Sequence, residues 1–415
     1  MAFDSDISLG PVLFIDRMEA RDRFFYGLSF AGALAILSST MAKNPVLVPF
    51  ARSLGADTAL LGLIAAASTL PGILVSLPAG SLSDLLGRRK IMYGAGFVFA
   101  SAPLLYLIVS TPSQLMVVRF YHGFATAIFG TVASAAIVDN FPDLKAGRLS
   151  FYSSATVVGR GLAPFIGGAI IVLTANNYRD VYWAVALAGI SAFLAIVAVY
   201  GRGWDGGRKE GRGTLLREQL RSIITNRRAV VASGTEAAQY LAFGAFEVFS
   251  IDYAFNGGLD PLWWTAIAGA QLVTVAAVKP VMGRLSDRYG RNRFIVAGLL
   301  ICAAAVLFYP LTLEPVLLVA LAAIFGLGFS SVTSSTQALV SDLCVRSGSG
   351  STMGFLHTVM DVGQFTGPVV ISLVIGNSLW YLGGFWSIAA VLAAGAGAFS
   401  LTFRRNAPPA ACPSR

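Results

Sequence analysis

The sequence predicts an all-α membrane protein with twelve transmembrane helices, in two six-helix bundles related by pseudo-two-fold symmetry. The mean hydropathy is +0.71 and only 12% of the 415 residues are charged, which excludes the surface of an ordinary soluble protein. Twelve apolar stretches reach the length of about 20 residues that a spanning helix needs. Segments of the first half also recur in the second half, so the bundles are predicted to be copies of one unit.

The twelve predicted spans divide evenly around one long polar segment. They cover residues 27–49, 59–79, 91–111, 114–138, 150–174, 180–200, 229–254, 262–282, 294–312, 315–340, 352–375 and 379–402. Residues 201–228 are Gly-rich and basic before they become helix-like, as expected of a cytoplasmic linker with a short interfacial helix. The predicted domains are therefore bundles at 1–200 and 229–403, this linker, and a cytoplasmic tail at 404–415.

Lysine and arginine in the loops predict the orientation. The N-terminal segment, the loops after spans 2, 4 and 8, and the tail hold most of these cations: Arg17, Arg21, Arg23, Arg88, Arg89, Lys90, Lys145, Arg148, Arg284, Arg288, Arg291, Arg293, Arg404 and Arg405. The opposite loops hold little beyond Arg52 and Arg179. By the positive-inside rule both termini face the cytoplasm of a multi-pass protein of the plasma membrane, the inner membrane of a two-membrane cell. The acidic start, MAFDSDISLG, predicts no cleaved signal peptide.

Two pairs of segments carry the internal repeat. GSLSDLLGRRK at 80–90 is matched by GRLSDRYGRNR at 283–293, an offset of 283 − 80 = 203 residues. GRGLAPFIGG at 159–168 is matched by GQFTGPVVIS at 363–372, an offset of 363 − 159 = 204 residues. Matching offsets at separate places predict a parallel duplication about an axis along the membrane normal, which is typical of one large class of transporters.

GSLSDLLGRRK resembles the loop signature of the major facilitator superfamily (MFS), Gly-x-x-x-Asp-basic-x-Gly-basic-basic, and the resemblance extends over the whole chain. The matching residues are Gly80, Asp84, Gly87, Arg88 and Arg89 in the first copy and Gly283, Asp287, Arg288, Gly290 and Arg291 in the second. The resemblance implies the MFS fold and a conformational latch, in which the aspartate accepts charge-assisted hydrogen bonds from nearby cations. Leu85 stands where the family has a cation, so we expect the second copy to carry more of the latch. The alternative is a basic turn that only fixes topology.

The stretch LMVVRFYHGFATA at 115–127 resembles a second signature of the family, with Arg119 at its centre and Gly123 four residues on. The resemblance implies that Arg119 takes part in proton coupling. An arginine inside a membrane helix is costly, by about 2.5 to 3.5 kcal/mol on insertion scales, so it faces a cavity or a partner. The alternative is that its side chain reaches the nearby membrane interface.

GRGLAPFIGG resembles the family signature associated with antiporters, Gly-x-x-x-Gly-Pro-x-x-Gly-Gly, with Ala163 in place of the middle glycine. The residues that match it, and their counterparts in span 11, are Gly159, Pro164, Gly167, Gly168, Gly363, Gly367 and Pro368. Small residues let helices approach closely and proline bends them, so the segments can act as a pliable seal between the halves. The resemblance favours export, and the alternative is ordinary small-residue packing.

Charged residues within the spans indicate the cargo. The first six spans contain Lys43, Arg119 and Arg160 but no acidic residue well inside them, and cation exporters of the family commonly use an acidic residue there. We therefore expect a cargo that is anionic or zwitterionic, since its negative group could meet these cations. The predicted cavity also includes Gln364 and His357, which is either a proton relay or a packing residue.

Glu236 and Asp361 are the predicted proton carriers, because burial in an apolar cavity favours the neutral form of a carboxylate. Glu236 could instead pair with Lys279 of the next span, whereas Arg160 is the natural partner of Asp361 across the cavity. Glu247 and Asp252 lie toward the outer end of span 7 and are expected to be interfacial.

The predicted function is secondary active transport of a small organic molecule by alternating access, as proton-coupled export. The alternative is proton symport or facilitated uptake of a nutrient such as an organic acid or a sugar. The sequence has no P-loop, no metal-ligand cluster and no nucleophile set, so it predicts neither a cofactor, a metal nor an enzyme. The G-x-G-x-x-G match at Gly201, Gly203 and Gly206 follows no strand. The expected partners are the bilayer, the substrate and protons, with no nucleic acid, and the expected state is a monomer.

Overall fold

A computed structural model of the chain describes residues 10–141, 144–201, 225–343 and 349–404. In these residues the regular structure is helical, with no strand. The helices are α1 Gly10–Met41, α2 Leu47–Ser53, α3 Thr58–Ala67, α4 Leu70–Leu86, α5 Arg88–Ile108, α6 Pro112–Asn140, α7 Lys145–Leu173, α8 Tyr178–Tyr200, α9 Arg227–Asn256, α10 Pro261–Tyr289, α11 Arg291–Phe308, α12 Pro315–Leu343, α13 Ser349–Ile375 and α14 Tyr381–Arg404. Most of the predicted linker and the tail beyond 404 lie outside the described residues.

The helices supply twelve membrane crossings, as predicted. Eleven described segments are long and apolar enough to cross a bilayer. The twelfth crossing is α9, whose 30 residues span about 45 Å at 1.5 Å per residue. This helix is less apolar than the others because it carries Glu236, Glu247 and Asp252. The least apolar crossing therefore holds three acidic side chains, more than any other helix of the second bundle among the described residues.

Two of the predicted spans differ from the helices that form. The first was predicted at 27–49, but α1 runs from Gly10 to Met41 and the chain turns before α2 at Leu47. Pro45 lies in this turn, where it has no backbone N–H to continue the helix. The second span, 59–79, is divided into α3 and α4, with Pro71 in the first turn of α4. Hydropathy does not reveal either break because the apolar run is continuous.

The internal duplication is visible in the helix boundaries. Equivalent helices of the two halves begin at Thr58 and Pro261, Arg88 and Arg291, Pro112 and Pro315, and Tyr178 and Tyr381, and each pair is 203 residues apart (for example 291 − 88 = 203). The sharp turns before α5 and α11 are equivalent too. Gly87 and Gly290 occupy these turns with φ of 90° and 99°, a region that residues with a Cβ rarely enter.

The bundles pack internally and meet along two seams. In the first bundle α1 packs on α7 and α8, and in the second α9 packs on α13 and α14. Between the bundles α7 packs on α10, while α13 packs on the broken pair α3 and α4. We call the end of the molecule with the Gly87 and Gly290 turns the motif end, and the end with the α2 helix and the α9–α10 turn the opposite end.

Candidate functional site

The motif arginines hold helices together within each half. Arg88, at the start of α5, forms an ion pair with Asp139 near the end of α6. In the second half Arg291, at the start of α11, forms an ion pair with Asp342 near the end of α12, and its Nη2 also lies 2.9 Å from Oδ1 of Asp287. The two pairs are equivalent by the 203-residue offset. Each arginine therefore fastens one helix start to the neighbouring helix end.

The other motif residues have more local roles. Arg89 Nε donates to the hydroxyl of Tyr93 at 3.1 Å, and the Arg288 guanidinium lies over the ring of Tyr289 at 5.5 Å from its centroid. The side chain of Asp84 and the packing of Gly80 are outside the part of the chain that the structure describes. The latch role of Asp84 therefore stays a prediction. Gly283 has room for a side chain, since its nearest neighbour atom, in Ser334, would be in ordinary van der Waals contact at 3.9 Å from an added Cβ.

Arg119 lies within the first bundle, against the break of the second crossing. Its side chain is only 2% exposed, and Nη2 donates to Oγ of Ser68, between α3 and α4, at 2.6 Å. The glycine four residues on explains the close approach, because a Cβ at Gly123 would lie 2.3 Å from the Ser68 carbonyl oxygen. Tyr106 and His122 lie beside it, with the Tyr106 hydroxyl 3.3 Å from Nδ1 of His122. Arg119 forms no ion pair with a described residue.

A hydrogen-bonded ion pair joins the halves at the opposite end. Arg52, in α2, donates to both oxygens of Asp252 in α9, from Nε at 2.8 Å and from Nη2 at 2.7 Å. Asp252 is fully buried and also accepts a hydrogen bond from the hydroxyl of Tyr381 at 2.7 Å. Asn256 in turn donates to the Tyr381 hydroxyl at 2.8 Å. A bidentate pair with its remaining partners satisfied is a strong contact between two bundles.

A second contact between the halves marks the pseudo-two-fold axis. Glu247 forms an ion pair with Lys43, and its Oε1 accepts a hydrogen bond from Nδ2 of Asn44 at 2.6 Å. Asn44 and Glu247 are 203 residues apart, the offset that relates equivalent positions of the two bundles. A residue that touches its own symmetry mate lies on the symmetry axis. The contact therefore lies on the axis of the molecule, and Lys43, predicted for the cavity, takes part in it.

The predicted seal residues divide into two groups. Gly159 packs within the first bundle, since an added Cβ would lie 2.3 Å from the Ala33 carbonyl oxygen, and Gly363 packs equivalently within the second, 2.3 Å from that of Ala237. Gly367 likewise approaches α9, and Gly167 approaches the turn after α1. Gly168 instead lies at the seam, where a Cβ would be 1.8 Å from Oγ1 of Thr265 in α10.

The prolines of the two seal segments lie inside α7 and α13. At the other seam the carbonyl oxygen of Pro368 would lie 2.5 Å from a Cβ at Gly62 of α3. Pro368 therefore contacts the opposite bundle, whereas Pro164 is buried in α7. Of the seal residues, Gly168 and Pro368 touch the other half directly.

Ionisable side chains gather between the bundles, at the middle or in the motif-end half of their helices. Glu236 of α9 is 0% exposed, lies beside Thr336 and Gln337 of α12, and interacts electrostatically with Lys279 of α10. Arg160 of α7 is exposed and lies close enough to interact with Lys279, as does His357 of α13. These four side chains come from four helices and from both halves.

Asp361 lies at the seam between α13 and α4. A Cβ at Gly72 of α4 would be 2.8 Å from Oδ2 of Asp361, so the carboxylate packs on the bare backbone of the other half. Asp361 forms no ion pair with a described side chain, including Arg160. The neighbouring Gln364 packs on Gly244 of α9, with its Cγ 3.2 Å from an added Cβ.

Sequence reasoning missed several of these partners. Asp139 and Asp342 could have been found, because each ends a helix and the two are separated by the same 203 residues as the motif arginines. Ser68 and Gly72 carry no such signal, since small residues are common in membrane helices.

Two pseudo-symmetric six-helix bundles with ionisable side chains between them define a membrane transporter. The chain belongs to the Major Facilitator Superfamily, whose family profile matches residues 28–268 and 237–415. Members of this family are transporters rather than enzymes, and they bind small-molecule substrates within the lipid bilayer, typically of the plasma membrane. The fold and the family that the sequence predicted are therefore confirmed.

Relatives and solved structures extend over most of the chain. It is 26% identical to the chloramphenicol resistance protein of Streptomyces lividans, over 84% of this chain and 88% of that protein. It is 22% identical to the multi-drug resistance efflux pump PmrA homolog of Lactococcus lactis subsp. lactis, over 84% of this chain and 87% of that protein. A bacterial homologue of the human lysosomal transporter Spinster, in an inward-facing and unoccupied conformation, has the same fold, with a TM-score of 0.79 at 15% identity over 93% of this chain and 97% of that one.

Proposed function

We propose that the protein exports a small organic molecule in exchange for protons, by alternating access, with the motif end in the cytoplasm. Two of the similar proteins are named for drug resistance or efflux. The excess of Lys and Arg at the motif end supports the orientation. The hydrogen bonds and ion pairs of Lys43, Asn44 and Arg52 with the other half lie at the opposite end, as suits a state that is closed to the outside.

The position of Asp361 is the observation that best supports proton coupling. A carboxylate near the middle of a membrane helix is costly as an anion unless a cation or water compensates it. Asp361 has no described cationic partner and lies at the seam, where the surroundings of a side chain change when the bundles rock. Protonation therefore suits one arrangement of the seam and ionisation the other, which is the requirement for coupling a proton to the cycle.

The second candidate is proton symport or facilitated uptake of a nutrient such as an organic acid. Arg160 and Lys279 favour uptake of an organic acid, because cations near the centre of the cavity can bind its anionic group. The same cations support a cargo that is anionic or zwitterionic in the case of export.

Proteoliposomes with imposed pH gradients of either direction test the proposal. The probes are chloramphenicol as a neutral compound, ethidium as a cation, and benzoate and fluorescein as anions. We expect accumulation when the lumen is acidic, which is the direction of exchange, and competition by the anions but not by ethidium. Accumulation only when the outside is acidic would establish symport, and competition by ethidium alone would refute the cargo class.

The Asp361→Asn variant tests the coupling residue. It is expected to lose gradient-driven accumulation and to retain counterflow exchange of the same probe, since exchange needs the cavity but no net proton movement. The control is Thr366→Ser, on the same helix, because it leaves the charge pattern unchanged. Gln364 is not used for the control because it lies in the predicted cavity. Full gradient-driven accumulation by Asp361→Asn would remove this residue from the mechanism.

A further inference from the structure

The cluster of Arg160, Lys279 and Glu236 has an arrangement that the proposed export does not by itself require. We propose that Arg160 and Lys279 form a subsite for the anionic group of the cargo, a carboxylate or similar oxyanion, and that Glu236 competes with this anion for Lys279. The inference rests on the proposed function in that it assigns a ligand class to the same cavity. It concerns binding at Glu236, whereas the proton exchanged in the proposed function binds at Asp361.

The register of the α7–α10 seam brings the two cations together. A Cβ at Gly161 would lie 4.0 Å from Cγ2 of Val273, and a Cβ at Gly269 would lie 2.6 Å from Cζ of Phe165. Because the helices are antiparallel, these two contacts align Arg160 with position 274 of α10. Lys279 is five residues further along α10, or about 7.5 Å nearer the motif end. Both side chains are long enough to reach one site from these positions, and the two charges interact.

Arg160 and Lys279 are like charges on opposite sides of the boundary between the bundles. Arg160 is exposed and forms no ion pair with a described residue. Two cations that face one another repel unless an anion lies between them. An anion held by both would join α7 of the first bundle to α10 of the second, so its binding would draw the halves together at this level.

Glu236 is the only carboxylate that interacts with Lys279 among the described residues. Glu236 interacts with Tyr240 of its own helix, with Lys279 of α10 and with Thr336 and Gln337 of α12. The charged groups one step further out are Arg160 of α7 and His357 of α13, which interact with Lys279, and Asp361 of α13, which interacts with Tyr240. With Glu236 ionised, the charge of Lys279 is already compensated. With Glu236 protonated, Lys279 lacks a partner and can bind the anion.

The linkage has a definite sign. Protonation of Glu236 strengthens anion binding, and by reciprocity a bound anion favours protonation of Glu236. An anionic cargo and this proton therefore bind together, whereas a cargo with only a positive group would compete with the proton for the carboxylate. At Glu236, the charge of the cargo thus sets whether this proton and the cargo bind together or in turn, and the proton of Asp361 is not part of this linkage.

Sulfate is the probe, because its charge does not change near neutral pH. Its binding to the purified full-length protein is measured by thermal shift and by tryptophan fluorescence, with sodium chloride added to keep the ionic strength constant. We expect the affinity to increase as the pH falls, by at most about tenfold per pH unit. Glu236→Gln is expected to bind sulfate equally well at acidic and neutral pH, and Arg160→Gln and Lys279→Gln are expected to lose at least about tenfold in affinity.

The controls separate charge from folding. Arg293→Gln alters an exposed arginine of the motif end and is expected to bind like the wild type. Arg160→Lys and Lys279→Arg keep the charge and are expected to retain most of the binding, which distinguishes loss of the subsite from loss of the fold. Undiminished sulfate binding by Arg160→Gln and Lys279→Gln would overturn the proposal, as would a Glu236→Gln variant with the pH dependence of the wild type. The binding assay needs no pH gradient, so its outcome is independent of whether transport proves to be proton-coupled.

Discussion

Both ends of the molecule contain ion pairs between an arginine and a carboxylate. At one end these pairs join helices of the same bundle, and at the other end the pair joins the two bundles. At the motif end Arg88 and Arg291 bind Asp139 and Asp342, and each pair lies within one bundle. At the opposite end Arg52 binds Asp252 of the other bundle. The pairs at the motif end occur twice, once in each half, whereas the Arg52 pair has no counterpart.

The difference separates two mechanical roles. A pair within a bundle holds helix ends in place whichever way the bundles are tilted, so it stabilises the moving unit. In the proposed alternating access, a pair between bundles forms in one arrangement and is lost in the other, so it sets the population of the two states. The duplicated ion pairs thus stabilise each half, whereas the Arg52–Asp252 pair, which occurs once, stabilises one conformation of the proposed cycle.

The largest effect is expected when the contact between the bundles is broken. Arg52→Gln leaves the buried Asp252 carboxylate without its cation, which costs about 3 kcal/mol in the closed state and shifts the two populations about a hundredfold. Double electron–electron resonance between spin labels at Ser110→Cys and Ser378→Cys, on a Cys344→Ser/Cys412→Ser background, would show a longer distance at this end.

Arg179→Gln is the matched control for this experiment. Arg179 lies at the same end, but its Nη2 donates to the carbonyl oxygen of Val109 in its own bundle at 3.2 Å. The label distance is expected to stay at the wild-type value. An Arg52→Gln protein whose distance distribution matched that of Arg179→Gln would contradict the proposed role of the contact.

The next effect concerns the seam between α7 and α10. Gly168→Ala would place a Cβ 1.8 Å from Oγ1 of Thr265 and 2.7 Å or less from two further side-chain atoms, so the helices must separate. We expect a shift toward the open state that corresponds to about 1–3 kcal/mol, measured with the same labels. Gly161→Ala, on the same helix, has its nearest neighbour at 4.0 Å and is expected to behave like the wild type. Equal distances in both variants would show that the seam tolerates the added methyl group.

The two motif copies differ in burial and hence in expected effect. Arg88 and Asp139 are 5% and 17% exposed in their side chains, whereas Asp342 is 66% exposed. Asp139→Asn is therefore expected to destabilise the protein by about 3 kcal/mol, and Asp342→Asn by less than about 1 kcal/mol, in thermal or denaturant unfolding. Leu85 led us to expect the second copy to carry more of the latch. A larger loss of transport in Asp342→Asn, despite its smaller loss of stability, would support that expectation.

The smallest effect is expected at the other seam. Gly72→Ala would bring a Cβ to 2.8 Å from Oδ2 of Asp361, the end of a flexible side chain that can move aside. We expect a loss of stability of about 1 kcal/mol or less and a greater loss of gradient-driven transport than of counterflow. Gly94→Ala, which has open space around it, is expected to leave transport unchanged and to stabilise α5 by about 0.5 kcal/mol. Equal transport losses in the two variants would remove Gly72 from the mechanism.

Much of the fold was accessible from the sequence because it depends on local composition. Apolar length gives the crossings, and the 203-residue offset gives the duplication. The break between α3 and α4 was not accessible, since its apolar run is continuous and only Pro71 marks it. Arg119 was recognisable as a buried cation, but its contact with Ser68 depends on how closely two helices pack at Gly123.

Pairing of charges was the least predictable part of the site. Lys43 was expected in the cavity, yet it lies beside Glu247, a residue 204 positions away in the chain. Which cation meets which carboxylate depends on the positions of helices distant in sequence, and composition does not encode these positions. Lys279, by contrast, could be associated with Glu236 because adjacent antiparallel helices bring such positions to one depth.

The contact of Asn44 with Glu247 limits how alike the two halves can be. At an axis of this kind each position faces its own copy, so a glutamate in both bundles would put two like charges in contact. In this chain the copy of Glu247 is the neutral Asn44, and Lys43 next to it forms an ion pair with the glutamate. The contact as it stands therefore depends on two halves that differ in sequence, and a single chain that contains both provides them.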